Sequence, residues 1–343
     1  MIVIYFLLVA IVCYLIYKAS DIFEEATSYL GRNMSNGVRG ASLNAIASSM
    51  PELLTSFIFL FTLTDPVTGY AGTIGTTAGS AVFNALIIPA LVIIFVYKWR
   101  VVNKHQAIPL SQYVLSRDGL FLIISEALLL ITIATGEITW LDGLLLMLVY
   151  VVYSMVLVRD SKKSNPHSNI INFQDNINIP GTSRQFWISI RKLIISVVLM
   201  TVLCYALVHS VEAIGVLLNI NLLFTSVILA AAASSVPDLM ISIKDAKAGN
   251  YDDAIANALG SNIFDICIAH GLPLFIYTLM YGSFKLNGDN SKESNILRIV
   301  LLILTIISIF VYKRKGGVNK TSGYILLGLY AVFLGVVISR ILN

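Results

Sequence analysis

The sequence predicts an all-α polytopic membrane protein, with ten transmembrane helices arranged as two inverted five-helix repeats. Three observations carry that reading. The 343 residues are 57% hydrophobic and only 12% charged, with a mean hydropathy of +0.84, whereas a soluble domain carries roughly 45–50% apolar and about 25% charged residues. Apolar segments of membrane-spanning length recur along the whole chain, separated by short polar stretches. A pair of polar motifs set into those segments also occurs twice in the same order. The first copy reads ASSMPELLTS (47–56) and GSAVFN (79–84), the second ASSVPDLMIS (233–242) and GSNIFD (260–265).

The segments lie at about 2–17, 38–63, 69–97, 118–135, 139–158, 188–210, 222–246, 252–281, 296–312 and 323–341. The N-terminal run has no positive charge ahead of it and no small-residue cleavage site, so it reads as a retained first span. Segments 69–97 and 252–281 exceed the roughly 20 residues a crossing helix needs, and tilt or breaks are expected in both. Pro89 is expected to kink the end of the third span. The central stretch contains SNPHSN and NINIPG, which are turn formers. The organisation is therefore a first five-helix repeat (1–158), a cytoplasmic connection (159–187) and a second repeat (188–343).

Charge placement tests the count. With the N-terminus outside, 19 of the 23 lysines and arginines fall on the inward side, leaving Lys285, Lys292, Arg298 and Arg340 outward. Positive residues collect on the cytoplasmic side of membranes, so ten spans and this orientation agree. Five is odd, so the duplicated unit enters the bilayer in opposite directions. Transporters built this way hold their substrate near the midplane, where the repeats meet. Because the basic residues sit in membrane loops, the formal charge of +4 offers no nucleic-acid surface. A monomer surrounded by lipid is expected, and the short loops suit a prokaryotic inner membrane. Cys13, Cys204 and Cys267 all fall in apolar segments and read as small buried side chains.

The repeated motifs carry the chemistry. On a helix, Ser48, Ser49 and Glu52 share one face, as do Ser234, Ser235 and Asp238. Pro51 and Pro237 lack an N–H, which releases the carbonyls of Ala47 and Ala233. Ser80 pairs in the same way with Asn84, and Ser261 with Asp265, while Gly79 and Gly260 allow close helix approach. Brought together, Glu52, Asp238, Asp265 and Asn84 surround one point with serines on either side. These are hard oxygen donors with no histidine or cysteine among them, a set that suits Na⁺ or Ca²⁺ rather than zinc or copper. Ionised groups at membrane depth usually mark an ion or proton path. Glu126, with no copy in the other half, reads as structural or mouth-facing, and His270 as a satisfied packing residue.

At these residues the chain resembles the cation/calcium exchanger superfamily, the sodium/calcium exchangers, and most of all their potassium-dependent branch. The two repeats match over roughly 40–90 and 226–275, through Ser48, Ser49, Pro51, Glu52, Gly79, Ser80 and Asn84, then Ser234, Ser235, Pro237, Asp238, Gly260, Ser261 and Asp265. The stretch GTIGTTAGSAVFN and Asp238 in place of Glu look most like the potassium-dependent members. The resemblance implies an exchanger, not an enzyme, with no cofactor, whose cargo is Ca²⁺ and Na⁺ with K⁺ as a possible third ion. It implies that Glu52 and Asp238 hold Ca²⁺, and that Asn84, Asp265 and the serine oxygens complete the Na⁺ sites. It implies the same for the backbone carbonyls of Ala45 and Ala231. Asp265 matches the position associated with potassium dependence. Both copies depart from the family in carrying Ala47 and Ala233 where glycine is usual, which narrows backbone approach and implies altered ion preference or kinetics.

Three acids at mid-membrane require cations, and Na⁺ and Ca²⁺ would compete for overlapping oxygens, which couples their opposite movements. The resemblance further implies that the first and sixth spans slide against the rest. The alternatives are a proton-coupled exchanger of Ca²⁺ or another divalent ion, an intramembrane aspartyl protease, whose Y-D and G-x-G-D motifs are missing, and a scaffold that transports nothing.

Overall fold

The computed structural model describes residues 2–30, 45–99, 107–163, 183–286, 288–314 and 316–342. The start of the second expected span (38–44), most of the 159–187 connection, and Arg32, Arg39, Arg100, Lys104 and Lys315 lie outside the described residues. The helices are α1 (Ile2–Leu30), α2 (Ala45–Ser48), α3 (Met50–Thr62), α4 (Pro66–Lys98), α5 (Gln112–Ala134) and α6 (Trp140–Lys163), followed by α7 (Ser183–Leu218), α8 (Leu222–Ser234), α9 (Val236–Lys247), α10 (Tyr251–Tyr281), α11 (Gly288–Tyr312) and α12 (Lys320–Leu342). Among the described residues, seven helices are long and apolar enough to cross a membrane, and α8 with α9, bent by 42° at their junction, makes an eighth. Helix α5 has the length but carries Arg117, Asp118 and Glu126, and α3 has only 13 residues.

Both motif copies break their helix at the same place. Ser49 (φ −95°, ψ 10°) separates α2 from α3, and Ser235 (φ −82°, ψ 0°) separates α8 from α9. That is the sparsely populated bridge region between helix and strand. Pro51 and Pro237 then fall in the first turn of the new helix, where a missing N–H costs least. As a result Glu52 and Asp238 both lie in the first turn of a helix, where the dipole favours negative charge.

The two long helices carry the irregularity expected of them as wide turns rather than breaks. Helix α4 passes through a π turn at Phe83–Ile87 and α10 through another at Asp265–His270. Such turns are rare and concentrate at functional sites. Helix α4 is continuous through Pro89, and the Ala85 carbonyl that Pro89 leaves without its helix donor accepts instead from the Tyr312 hydroxyl on α11.

The core falls into two apolar clusters. Val9, Val12, Ile16 and Phe23 of α1 pack on Met200, Leu207 and Val211 of α7, reaching Phe59 and Ala230. The larger cluster gathers the inner faces of α4, α5, α6, α10, α11 and α12, with Ile74, Leu86, Leu122, Leu146, Ile263, Leu301 and Phe333 at its centre. The fold is not purely helical. Gly136 (φ +73°) and Gly282 (φ +86°) reverse the chain after α5 and α10. Glycine takes that left-handed geometry without strain. The extended residues that follow pair antiparallel as β1 (Glu137–Ile138) and β2 (Phe284–Lys285), with Glu137 opposite Lys285.

Helix α4 opens on an N-cap. Asp65 accepts from the Thr68 hydroxyl (2.6 Å) and from the amides of Thr68 (2.9 Å) and Val67 (3.3 Å). The Thr68 hydroxyl, ahead of the two amides, holds the Asp65 carboxyl below its usual range. Asp65→Ala is expected to cost roughly 1 kcal/mol, read as a lower unfolding temperature in detergent. Because the folded pKa is depressed, the cap contributes fully above the ordinary carboxylate pKa and is lost as pH falls through the folded value. The difference between wild type and variant should therefore close in acid.

Candidate cation site

Glu52, Asp238 and Asp265 come from three different helices, α3, α9 and α10, yet each offers a carboxylate oxygen within 4.8 Å of the other two. All three are fully buried. Serines and one amide knit them together. Ser80 donates to Asp265 Oδ2 (2.8 Å) and lies 3.4 Å from Glu52 Oε1. Ser235 donates to Ser80 (2.9 Å) and approaches the same Glu52 oxygen at 3.4 Å. Ser261 donates to Asp238 Oδ1 (2.8 Å), Asn84 Nδ2 donates to Asp238 Oδ2 (2.9 Å), and Ser48 lies 3.4 Å from Ser261.

Each bond crosses between the motif copies or between the two motifs of one copy. Ser80 and Asn84 of the first copy reach Asp265 and Asp238 of the second, and Ser235 of the second reaches Glu52 of the first. The π turns contribute directly, since Asn84 sits inside the one in α4 and Asp265 opens the one in α10. Four buried oxygens of the expected set have no hydrogen-bond partner: Ser49 Oγ, Glu52 Oε2, Asn84 Oδ1 and Asp265 Oδ1. Buried polar atoms are normally satisfied. A cluster of unsatisfied hard oxygens among three carboxylates is what a hard cation requires.

The remaining expected residues lie close by in different roles. Ser234 is buried but donates to the carbonyl of Ala231 (3.2 Å), which also accepts from the Ser235 amide (3.0 Å), so both lone pairs of that carbonyl are engaged. Ala45 opens α2. The carbonyl of Ala233, released by Pro237, accepts from the Cys13 thiol of α1 at 3.8 Å.

The glycines do not behave alike. A methyl at Gly79 would stand 2.3 Å from the Val227 carbonyl oxygen, so α4 and α8 cross in direct backbone contact there. At Gly260 the nearest atom would be Tyr153 Oη at 3.6 Å, an ordinary contact. Close approach is needed at Gly79 and not at Gly260.

Of the two roles expected for Glu126, its placement agrees with the structural one: it is buried in α5 and accepts from Thr305 of α11 (2.7 Å). Other polar residues are placed differently from their sequence reading. His270 packs against the Tyr70 ring (5.3 Å between centroids), but neither ring nitrogen has a hydrogen-bond partner. Arg298 is not an outward loop charge; it is inside the protein, 1% exposed, and donates to Thr77 of α4 (2.6 Å). The sequence hides it because α11 starts at Gly288, well ahead of its apolar run, which carries Arg298 inward. Asn262 also escaped sequence reading. Its amide donates to the Ala81 carbonyl (2.9 Å) and pins α10 to α4, and the first copy has alanine at the matching position.

Similarity to known proteins agrees with this architecture. The chain resembles sodium/potassium/calcium exchanger 4 of Mus musculus, 33% identical over 163 residues, which are 46% of this chain and 26% of that protein. It resembles sodium/potassium/calcium exchanger 3 of Homo sapiens at 34% over 162 residues, 46% of this chain and 24% of the relative. The match therefore spans about a quarter of the length of these curated relatives, which are transporters rather than enzymes. Among solved structures, the H⁺/Ca²⁺ exchanger CAX superposes with a TM-score of 0.76 at 12% identity, over 98% of this chain and 86% of that one. The sodium-calcium exchanger NCX_Mj superposes with a TM-score of 0.58 at 23% identity, over 98% of both chains. At such identities the likeness is one of fold. The sodium/calcium exchanger protein family itself matches over residues 4–159 and 189–339, nearly the whole of the chain. This multi-pass integral membrane protein belongs to the sodium/calcium exchanger family, and it resembles members of the potassium-dependent branch.

Proposed function

We propose that the protein is a secondary antiporter that exchanges Na⁺ for Ca²⁺ across a membrane at one buried site. The site is made of Glu52, Asp238, Asp265 and Asn84 with Ser48, Ser49, Ser80, Ser234, Ser235 and Ser261, and the backbone carbonyls of Ala45 and Ala231 border it. One observation carries the reading: carboxylates from two duplicated segments converge to within 4.8 Å of each other in a fully buried cluster that keeps unsatisfied oxygens. In hydrocarbon such a cluster is tolerable only when cations neutralise it. Ca²⁺ and several Na⁺ would draw on the same oxygens and exclude one another, which links their movements. Ca²⁺ alone leaves one of the three carboxylate charges to be met by a further positive charge, and the names of the curated relatives add potassium to sodium and calcium.

In this reading the ten spans form two inverted repeats, 1–158 and 188–343, joined on the cytoplasmic side by 159–187. The N-terminus is outside, and the protein is a monomer in a prokaryotic inner membrane. The matched helix breaks at Ser49 and Ser235 support the repeat. Each break places the start of one half-helix and the end of another at the site, the arrangement transporters use to hold ions near the midplane. In this reading α1 and α7, which pack on each other, give alternating access by moving against the rest.

Vesicles containing the purified protein test this reading. An outwardly or inwardly directed Na⁺ gradient is expected to drive ⁴⁵Ca²⁺ in the opposite direction, with no flux when Na⁺ is equal on both sides. Ca²⁺ movement driven by a pH gradient alone would instead make the protein a proton-coupled exchanger. No Ca²⁺ movement under either gradient would end the antiporter reading.

A further inference from the structure

Arg298 is the only buried lysine or arginine among the described residues. Its guanidinium donates through Nη2 to Thr77 Oγ1 (2.6 Å) and the Ile74 carbonyl (3.5 Å), while Nε and Nη1 have no hydrogen-bond partner. Among the described residues no carboxylate lies within salt-bridge distance of it. An arginine keeps its proton in any protein environment. This side chain is therefore a permanent positive charge, buried without a direct counter-ion, which is costly unless negative charge nearby offsets it.

Thr77 ties this charge to the carboxylate site. It stands three residues before Ser80 and seven before Asn84, on one stripe of α4. Ser80 donates to Asp265 and Asn84 to Asp238, so Arg298 is anchored one helical turn from the carboxylate cluster. Its charge acts most strongly on Glu126, and also on Asp265 of the cluster.

Charge balance gives this placement a consequence. Three carboxylates need three positive charges, and Ca²⁺ supplies two. The remaining negative charge at membrane depth must be met by a co-bound monovalent cation, a proton or a fixed charge of the protein. We propose that Arg298 is the fixed charge: a tethered counter-cation that takes the place of a co-bound monovalent ion such as K⁺, so that Ca²⁺ exchange by this chain needs none. The inference rests on the exchanger reading of the site. Arg298 acts here as a positioning residue for charge and does not ligate the cargo.

The test is Na⁺-driven ⁴⁵Ca²⁺ uptake by the full-length protein in liposomes, with either K⁺ or N-methylglucamine as the other monovalent cation. Wild type is expected to run equally in both. Arg298→Gln is expected to be slow in N-methylglucamine and accelerated about tenfold by K⁺, the factor given by unit charges about 10 Å apart at an effective dielectric of about 20. Arg298→Lys, which keeps the charge, should stay independent of K⁺. A wild type that needs K⁺, or an Arg298→Gln protein that is fast and indifferent to K⁺, overturns the proposal. So does a double variant, Arg298→Gln with Glu126→Gln, that regains indifference to K⁺, because the arginine would then be answering Glu126. If Arg298→Gln fails to reach the membrane, the wild-type and Arg298→Lys measurements decide alone. A wild type that moves no Ca²⁺ under a Na⁺ gradient removes the exchanger reading and this inference with it, whereas K⁺ dependence in an active wild type removes only the inference.

Discussion

Glu52→Gln and Asp238→Asn are each expected to abolish Na⁺-driven Ca²⁺ uptake while the protein still assembles in the membrane. Each change keeps the shape of the side chain and removes one negative charge from the buried cluster. Loss of one partner from a buried charged set costs about 3–5 kcal/mol, which is roughly two to four orders of magnitude in affinity for the cation. Folding should respond in the opposite sense. A neutral amide is cheaper to bury than a carboxylate, so in ion-free detergent the variants should unfold at or above the wild-type temperature. A bound ion stabilises only the folded state, so added Ca²⁺ should raise the unfolding temperature of the wild type and leave both variants unmoved. The pairing of intact folding, absent flux and absent Ca²⁺ stabilisation distinguishes a lost ligand from a damaged core. Wild-type exchange in either variant would remove that residue from the site.

Much of this site is legible in the sequence because a duplication prints it twice. The serine pair, the proline and the acid recur in order, and the helix breaks at Ser49 and Ser235 follow from prolines placed just after a polar pair. The convergence of Glu52, Asp238 and Asp265 follows from the same repetition, since matched polar segments in apolar helices can be satisfied only by one another. What the sequence conceals are contacts between elements without a repeat. Arg298 stands at the polar edge of its apolar run, and periodicity cannot say whether such an edge lies in water or in the core. Its partner Thr77 is distant in the chain, as is the Thr305 that meets Glu126. The π turns are equally hidden, because each depends on how a long helix relaxes against its neighbours, as where the Tyr312 hydroxyl takes up the carbonyl that Pro89 leaves free.

The two motif glycines, alike in sequence, are expected to respond in opposite ways to alanine. At Gly79 the added methyl would lie 2.3 Å from the Val227 carbonyl oxygen and 2.5 Å from the Ala231 Cβ, both on α8. Neither neighbour can turn aside, since one is backbone and the other a bare methyl, so α4 and α8 must separate. Overpacking of this kind costs about 1–3 kcal/mol. The separation would also carry Ser80 away from Asp265 and Glu52, so Gly79→Ala should lower both the unfolding temperature and Ca²⁺ uptake. At Gly260 the methyl meets only Tyr153 Oη at 3.6 Å. There alanine adds about 0.5–1 kcal/mol of helix preference and disturbs no backbone, so Gly260→Ala should match or exceed wild-type stability and keep its flux. Thermal unfolding in detergent and ⁴⁵Ca²⁺ uptake on the two variants side by side provide the measurement. Equal losses in both, or none at Gly79, would mean that α4 and α8 are not in direct backbone contact beside the carboxylates, and that the cluster owes its geometry to some other contact.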